Sequence, residues 1–318
     1  MKKPKRKYFT EFALNIYSEE PAMLAPADLV KIKDEPQESK DRLKNCNIYF
    51  ILKRPRISFV PDSLAINNNS LTGKISQHLD SSANEYEFKL NGDLPNNIAS
   101  VEISKYPHTK LIIKHKNNNE TVIPFSYLYR NMEIDAPELE NLEVVYVGQA
   151  FGQSGERTAV ERLSSHSTLQ KILADISANQ PNMEVLLCLY SFGFHRFIIN
   201  MDGTSTAETT DEEDKEHYMS TLNSNFKRGM RISLAEAAFI RYFEPEYNKV
   251  YKTGFPHKRL KMLKKLYDYD FGALIAEASI EEHNYRLYSE KQKPNFHHIA
   301  RFDLHDPKQR RSFFYDNP

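Results

Sequence analysis

The chain has 318 residues, with 43 basic and 43 acidic side chains, so net charge names no partner and any basic groove must come from local distribution. Hydrophobic content of 40% against 27% charged excludes a disordered chain, and the length suits two or three domains. Two cysteines, Cys46 and Cys188, lie far apart in apolar runs, which fits reduced core thiols better than a disulfide framework or a zinc site. No apolar stretch reaches membrane-spanning length, and the basic start, Met1 to Lys7, lacks the apolar run of a secretory signal. The expectation is a cytoplasmic protein without membrane association.

Residues 1–44 read as a basic N-terminal tail and lead-in. From 45 to 120 the chain reads as a β-rich domain, a small sandwich or barrel of unknown role. Its predicted strands are Asn47 to Leu52, Ile57 to Val60, Glu85 to Leu90, Ile98 to Ile103 and Lys110 to His115, split by turn-formers such as Asn91-Gly92-Asp93. The pattern changes at about 121. Val122 to Tyr129 and Leu142 to Val147 read as strands, Arg157 to Leu163 and Thr168 to Ile176 as helices, with Ser167 placed to cap the second. Val185 to Phe192 is apolar enough for a central strand, with Arg196 to Asn200 as its partner. Gly203 to Glu216 is an acidic exposed loop, and a helix over Ser233 to Phe243 stops before Pro245. Residues 257–318 read as an extension with a basic helix, His257 to Leu266, and strand-like residues from Ala273 to Tyr288. His297, His298 and His305 lack the spacing of a metal site.

Glu236 is the most telling residue, and its helix alone favours a structural partner for it over a metal. On its helix Ile232, Glu236, Ile240 and Phe243 share one face, and Ala235, Ala238, Phe239 and Tyr242 line the next. A carboxylate inside so apolar a stripe is costly unless a cation or several donors offset its desolvation. Two offsets are open: a bound metal ion, or a guanidinium such as Arg231 or Arg241.

A longer pattern bears on that choice. The run E-A-A-F-I-R-Y-F-E-P-E-Y-N, from Glu236 to Asn248, resembles the C-terminal signature of the GIY-YIG nuclease superfamily, E-x-x-x-I-x-x-x-x-P-x-Y-N. Upstream, Tyr146-Val147-Gly148 matches the YIG half of the family name. Glu161-Arg162-Leu163-Ser164-Ser165 is similar to a K-R-L-S-S run of excision-repair members, and His166-Ser167-Thr168-Leu169-Gln170 to a stretch of phage homing members. For the GIY half the nearest counterpart is Phe125-Ser126-Tyr127, which lacks the glycine, with Tyr129 competing for the first tyrosine. Phe151 to Thr158 reads as an insertion and makes Arg157 a rival to Arg162.

The resemblance implies an α+β catalytic domain over residues 121–256, a small mainly antiparallel sheet flanked by helices. It implies metal-dependent endonucleolytic cleavage of nucleic acid, DNA before RNA. Glu236 would ligate Mg²⁺ or Mn²⁺, and Arg162 would grip the scissile phosphate. Tyr127, Tyr146 or His166 would handle the proton of the attacking water. Gly148 would let substrate and helix approach the end of the strand closely, and Asn248 would tie the helix end to the sheet. Cutting both strands needs two sites, hence a possible homodimer. The altered GIY half motivates a rival reading, a binding or interaction protein on an inactive nuclease fold.

Overall fold

In the computed structural model, which describes residues 5–150, 158–201 and 207–314, a strand follows where a tail was expected. β1 (Thr10–Tyr17) is buried on both faces for most of its length. After β2 (Ala22–Leu24) and the helix α1 (Gln37–Lys44) comes β3 (Ile48–Pro55). A β-rich module then interrupts the chain: β4 (Ile57–Phe59), β5 (Ala65–Asn67), β6 (Ser70–His78), β7 (Ala83–Leu90), β8 (Ile98–Ile103), β9 (Lys110–His115), β10 (Glu120–Pro124), the short α2 (Phe125–Leu128) and β11 (Met132–Glu133). The rest comprises β12 (Asn141–Gln149), α3 (Ala159–Ser164), α4 (Ser167–Asn179), β13 (Met183–Tyr190), β14 (Phe194–Met201), α5 (Asp211–Leu222), α6 (Arg228–Phe243), α7 (Lys264–Asp268), β15 (Ala273–Ser279), β16 (Arg286–Tyr288) and β17 (His297–Asp303).

The fold is α+β and mainly antiparallel. One sheet has the order β16-β12-β3-β13-β2 and a second β14-β1-β15-β17, while the module forms two further sheets, β11-β7-β6-β4 with β5 on β6, and β10-β9-β8. Among the described strands only β12 with β16 and β1 with β15 pair in parallel. Strand pairing therefore crosses the boundaries expected at 45, 121 and 257. β3 belongs with β12 and β13, and β1 draws together segments from both ends of the chain. β14 pairs with β1 and not with β13, its expected partner.

Helix α6 packs on β12 and β3 of one sheet and on β15 and β17 of another, which explains an apolar surface around most of its circumference. Phe239 and Phe243 pack on Phe50 of β3 at ring distances of 5.4 and 5.8 Å, and Phe243 meets His298 of β17 at 4.8 Å. The module is clamped by Arg54 at the end of β3. That buried guanidinium donates to Glu184 at 2.7 Å and to the Tyr285 hydroxyl at 3.2 Å, and it sits over the rings of Phe125 and Tyr285. Pairing and stacking together offset the cost of burying the charge.

Other local expectations differ. The segment Val122 to Tyr129 turns from strand into α2 after Pro124. The acidic stretch is helical from Asp211: Thr210 and Glu213 form a reciprocal capping box, and carboxylates in the first turn suit the positive end of the helix dipole. The expected basic helix is a 3-10 turn, Lys261–Leu263, followed by α7. Among the described residues no helix is long and apolar enough to cross a membrane.

Candidate active site

The antiparallel pairing of β3 with β12 sets Gly148 opposite Tyr49 and Tyr146 opposite Ile51, after an irregularity at Val145. Side chains alternate across a strand, so Tyr49 and Tyr146 emerge on one face. Their rings stack at 6.2 Å. Gly148 is required between them: a Cβ there would lie 2.6 Å from the Tyr49 ring and hydroxyl and 2.7 Å from the Tyr146 ring. Tyr49 is buried, so its ring cannot simply swing away.

Helices α3 and α4 close over the same face. Thr158 and Glu161 form a capping box that starts α3 and carries Arg162 toward the tyrosines. Helix α4 is capped by His166, one residue earlier than the expected Ser167: the Leu169 amide donates to His166 Nδ1 at 3.3 Å. A neutral His166 that accepts at Nδ1 carries its proton on Nε2, which lies 3.3 Å from the Tyr49 hydroxyl. The imidazole is buried and packs 5.6 Å from each tyrosine ring. It is built into the fold as a cap and a brace.

Glu236 approaches from the other side of the sheet, at the end of β12. Burial pushes its carboxyl up to about 7, with the Gln149 amide and the Arg162 charge pulling the other way. Among the described residues it forms no ion pair. The two guanidinium groups that could have neutralised it are engaged elsewhere. Arg231 donates to the carbonyls of Phe226 and Gly193, and Arg241 pairs with Glu244 and donates to the Lys252 carbonyl. Burial also raises the Tyr146 phenol, the Glu236 charge raises it further, and Arg162 opposes both. The Tyr49 phenol is raised by burial and by Tyr146, again against Arg162. Tyr146, Arg162 and Glu236 each keep part of their surface exposed, so the group meets solvent.

The segment after α6 completes the sheet. Glu244 ends the helix in the left-handed conformation, and Pro245 prevents its continuation. β16 pairs with β12 only over Asn141 to Glu143, which leaves the edge beyond without a strand. Tyr247 and Asn248 take that place. The Tyr247 amide donates to Val145 O at 3.0 Å, the Asn248 carboxamide donates to Val147 O at 2.8 Å, and its oxygen accepts from Val147 N at 2.9 Å. Both orphan groups of a buried strand are thereby satisfied.

The structure thus brings Tyr146, Gly148, Arg162, His166, Glu236 and Asn248 together, and leaves out Tyr127. That residue lies in α2 of the module, exposed, donating to Asp28 at 3.4 Å. Tyr129 is buried against Tyr285. Arg157 lies outside the described residues. The tyrosine that joins Tyr146 is Tyr49, and Asn47-Ile48-Tyr49 carried a signal, an Ile-Tyr pair at the head of an apolar strand. The Asn47 side chain donates to Ala150 O at 3.0 Å and accepts from Arg228 at 2.7 Å.

Among the described residues no three His, Cys, Asp or Glu side chains cluster as a ready set of metal ligands. A cation at Glu236 would have a single protein carboxylate, which suits Mg²⁺, an ion that keeps several waters and often takes one or two carboxylates. His298 and His305 are committed to main-chain carbonyls, of Leu287 at 2.8 Å and Phe271 at 3.0 Å. No family model, no curated protein and no solved structure matches the chain.

Proposed function

We propose that the chain is a metal-assisted endonuclease of the GIY-YIG type, hydrolysing phosphodiester bonds in nucleic acid, with DNA the preferred substrate. The observation that carries this reading is Glu236: a largely desolvated carboxylate that forms no ion pair among the described residues, set beside two tyrosines with the Arg162 charge acting on it. Protein interiors rarely leave a charge in that state unless a ligand from solution completes it.

Glu236 and Arg162 divide the handling of charge. Glu236 would hold a Mg²⁺ or Mn²⁺ ion, which supplies charge withdrawal at the phosphate and a more acidic water. Arg162 presents a planar fork of donors to the non-bridging oxygens as negative charge grows on them. Of the three groups expected to move the water's proton, Tyr127 is remote and His166 has both ring nitrogens engaged by Leu169 and Tyr49. Tyr146 remains, half-buried and accessible, with Tyr49 and His166 fixing its neighbourhood. Neutralising the Glu236 charge removes one of the two influences that raise the Tyr146 phenol and leaves the pull of Arg162, which favours a proton relay at that hydroxyl. One such site cuts one strand, and double-strand cleavage would require a second copy.

Supercoiled plasmid incubated with the purified protein and Mg²⁺ or Mn²⁺ tests the proposal. Nicked or linear product that disappears in Glu236→Gln and Arg162→Ala is expected. Intact plasmid with either metal, despite measurable DNA binding, would overturn the enzyme reading and leave a binding protein on this scaffold.

A further inference from the structure

The segment from Lys249 to Lys252 carries an inference that rests on that reading. It leaves the Asn248 clamp on β12 and ends where the Lys252 carbonyl accepts from Arg241 at 2.9 Å, just before Phe255 buries itself against Phe302. Both ends are fixed. Within it Tyr251 has φ of 67°, the left-handed region that a bulky side chain avoids. Glycine, which takes that region freely, occurs nearby at Gly254 with φ of 77°. The tyrosine at 251 therefore accepts strain where a glycine would not.

The turn produced by that residue has two consequences. Tyr251 folds back to pack on Phe255 at 6.4 Å and lies close enough to Glu236 for the carboxylate to raise its phenol, after burial has done so. Val250 is driven outward, 63% exposed. On either side stand Lys249 and Lys252. In a chain of balanced charge neither pairs with a carboxylate among the described residues; the Lys252 ammonium reaches only the Glu246 carbonyl, at 3.4 Å. Beside Glu236 there is thus a rim with two cations that pair with no carboxylate among the described residues and an apolar tip.

We propose that this rim grips the nucleic-acid strand next to the scissile phosphate, Lys249 and Lys252 taking the flanking phosphates and Val250 resting on the sugar or base face between them. Phosphate contacts of this kind position a substrate without reading its sequence. Tyr251 acts as a positioning residue that holds the rim in shape.

Binding of a short fluorescein-labelled DNA duplex, followed by anisotropy in EDTA so that nothing is cut, tests this separately from catalysis. Replacing both lysines, Lys249→Ala with Lys252→Ala, should weaken binding about tenfold at low salt. It should also make the slope of log K against log salt shallower by about 1.8, the value for two lost phosphate contacts. The thermal midpoint should hold, since Lys249 is exposed and Lys252 half-buried. Affinity and slope equal to the parent chain would overturn the rim, even if cleavage persists. A parent chain that neither binds nor cuts nucleic acid would instead overturn the proposed function on which the rim depends.

Discussion

Glu236 and Asp270 are two carboxylates drawn out of bulk water, and the molecule treats them in opposite ways. Around Asp270 burial raises the carboxyl, but His305, Lys7 and Arg310 outweigh it and hold the group far below the usual carboxylate range. Arg310 Nη1 lies 2.7 Å away and the Tyr8 hydroxyl 3.2 Å away, while Arg310 also reaches buried Glu11 at 3.2 Å. The network ties both ends of the described chain to the turn before β15. Around Glu236 burial acts in the same direction, no cation stands in contact, and the carboxyl rises to about 7. Desolvation of the same sign with opposite outcomes separates a charge used as structure from a charge held for something outside the protein.

The largest expected effects would break this contrast outright. Glu236→Gln should lower cleavage by about 10³-fold, a loss typical of removing one group that stabilises transition-state charge, without lowering the thermal midpoint. Arg310→Ala should do the reverse: about 3 kcal/mol lost in urea denaturation, because Glu11 and Asp270 are left buried and under-paired. If the two variants changed places, with Glu236 proving structural, the account would fail. Gly148→Ala sharpens the picture on the catalytic side. Its new methyl group meets two tyrosine rings at under 3 Å, so roughly 2 kcal/mol of stability should go together with cleavage. Normal activity in that variant would mean that the ring pair is not held as described.

The smallest effect lies in pH dependence. Folded Glu236 keeps its proton up to about 7, whereas the unfolded side chain releases it near 4.5. The contribution of this group is therefore complete below the unfolded value and is lost as pH rises through 7. Discounting for the part of the side chain that meets water, the loss is roughly 1–2 kcal/mol. Asp270 has the opposite sign, its contribution present above its unfolded pKa and lost only as the solution becomes strongly acid. Denaturation at pH 5 and pH 8 should show the Glu236 loss in the parent chain and its disappearance in Glu236→Gln.

Much of the Glu236 neighbourhood was legible in the sequence because it is local. A carboxylate within an i, i+4 apolar stripe can be read from spacing, as can Tyr146 and Gly148 on one strand and the Pro245-Glu246-Tyr247-Asn248 run that follows α6. Tyr49 was not legible as Tyr146's neighbour because their strands pair across the whole inserted module, and periodicity carries no information about which distant strands meet. Tyr127 was expected because Phe125-Ser126-Tyr127 offered the best counterpart of the first half-motif on a strand read before Tyr146. β1 read as a tail since a strand buried on both faces shows no alternation, and its basic lead-in resembles a solvated end. His166 was missed as a cap because histidine rarely plays that role; here its Nδ1 replaces the usual side-chain oxygen. The Asp270 network, assembled from both ends of the chain, left no trace in any window.

Calorimetric titration of Mn²⁺ into the protein near pH 6.5, in buffers of different ionisation heat, tests the central claim most directly. A cation that settles on Glu236 must displace the proton this carboxyl partly holds at that pH, so binding should release protons, tighten as pH rises and vanish in Glu236→Gln. Mn²⁺ binding that is unchanged in Glu236→Gln, or a parent chain that binds none at any pH from 6 to 8, would contradict the account.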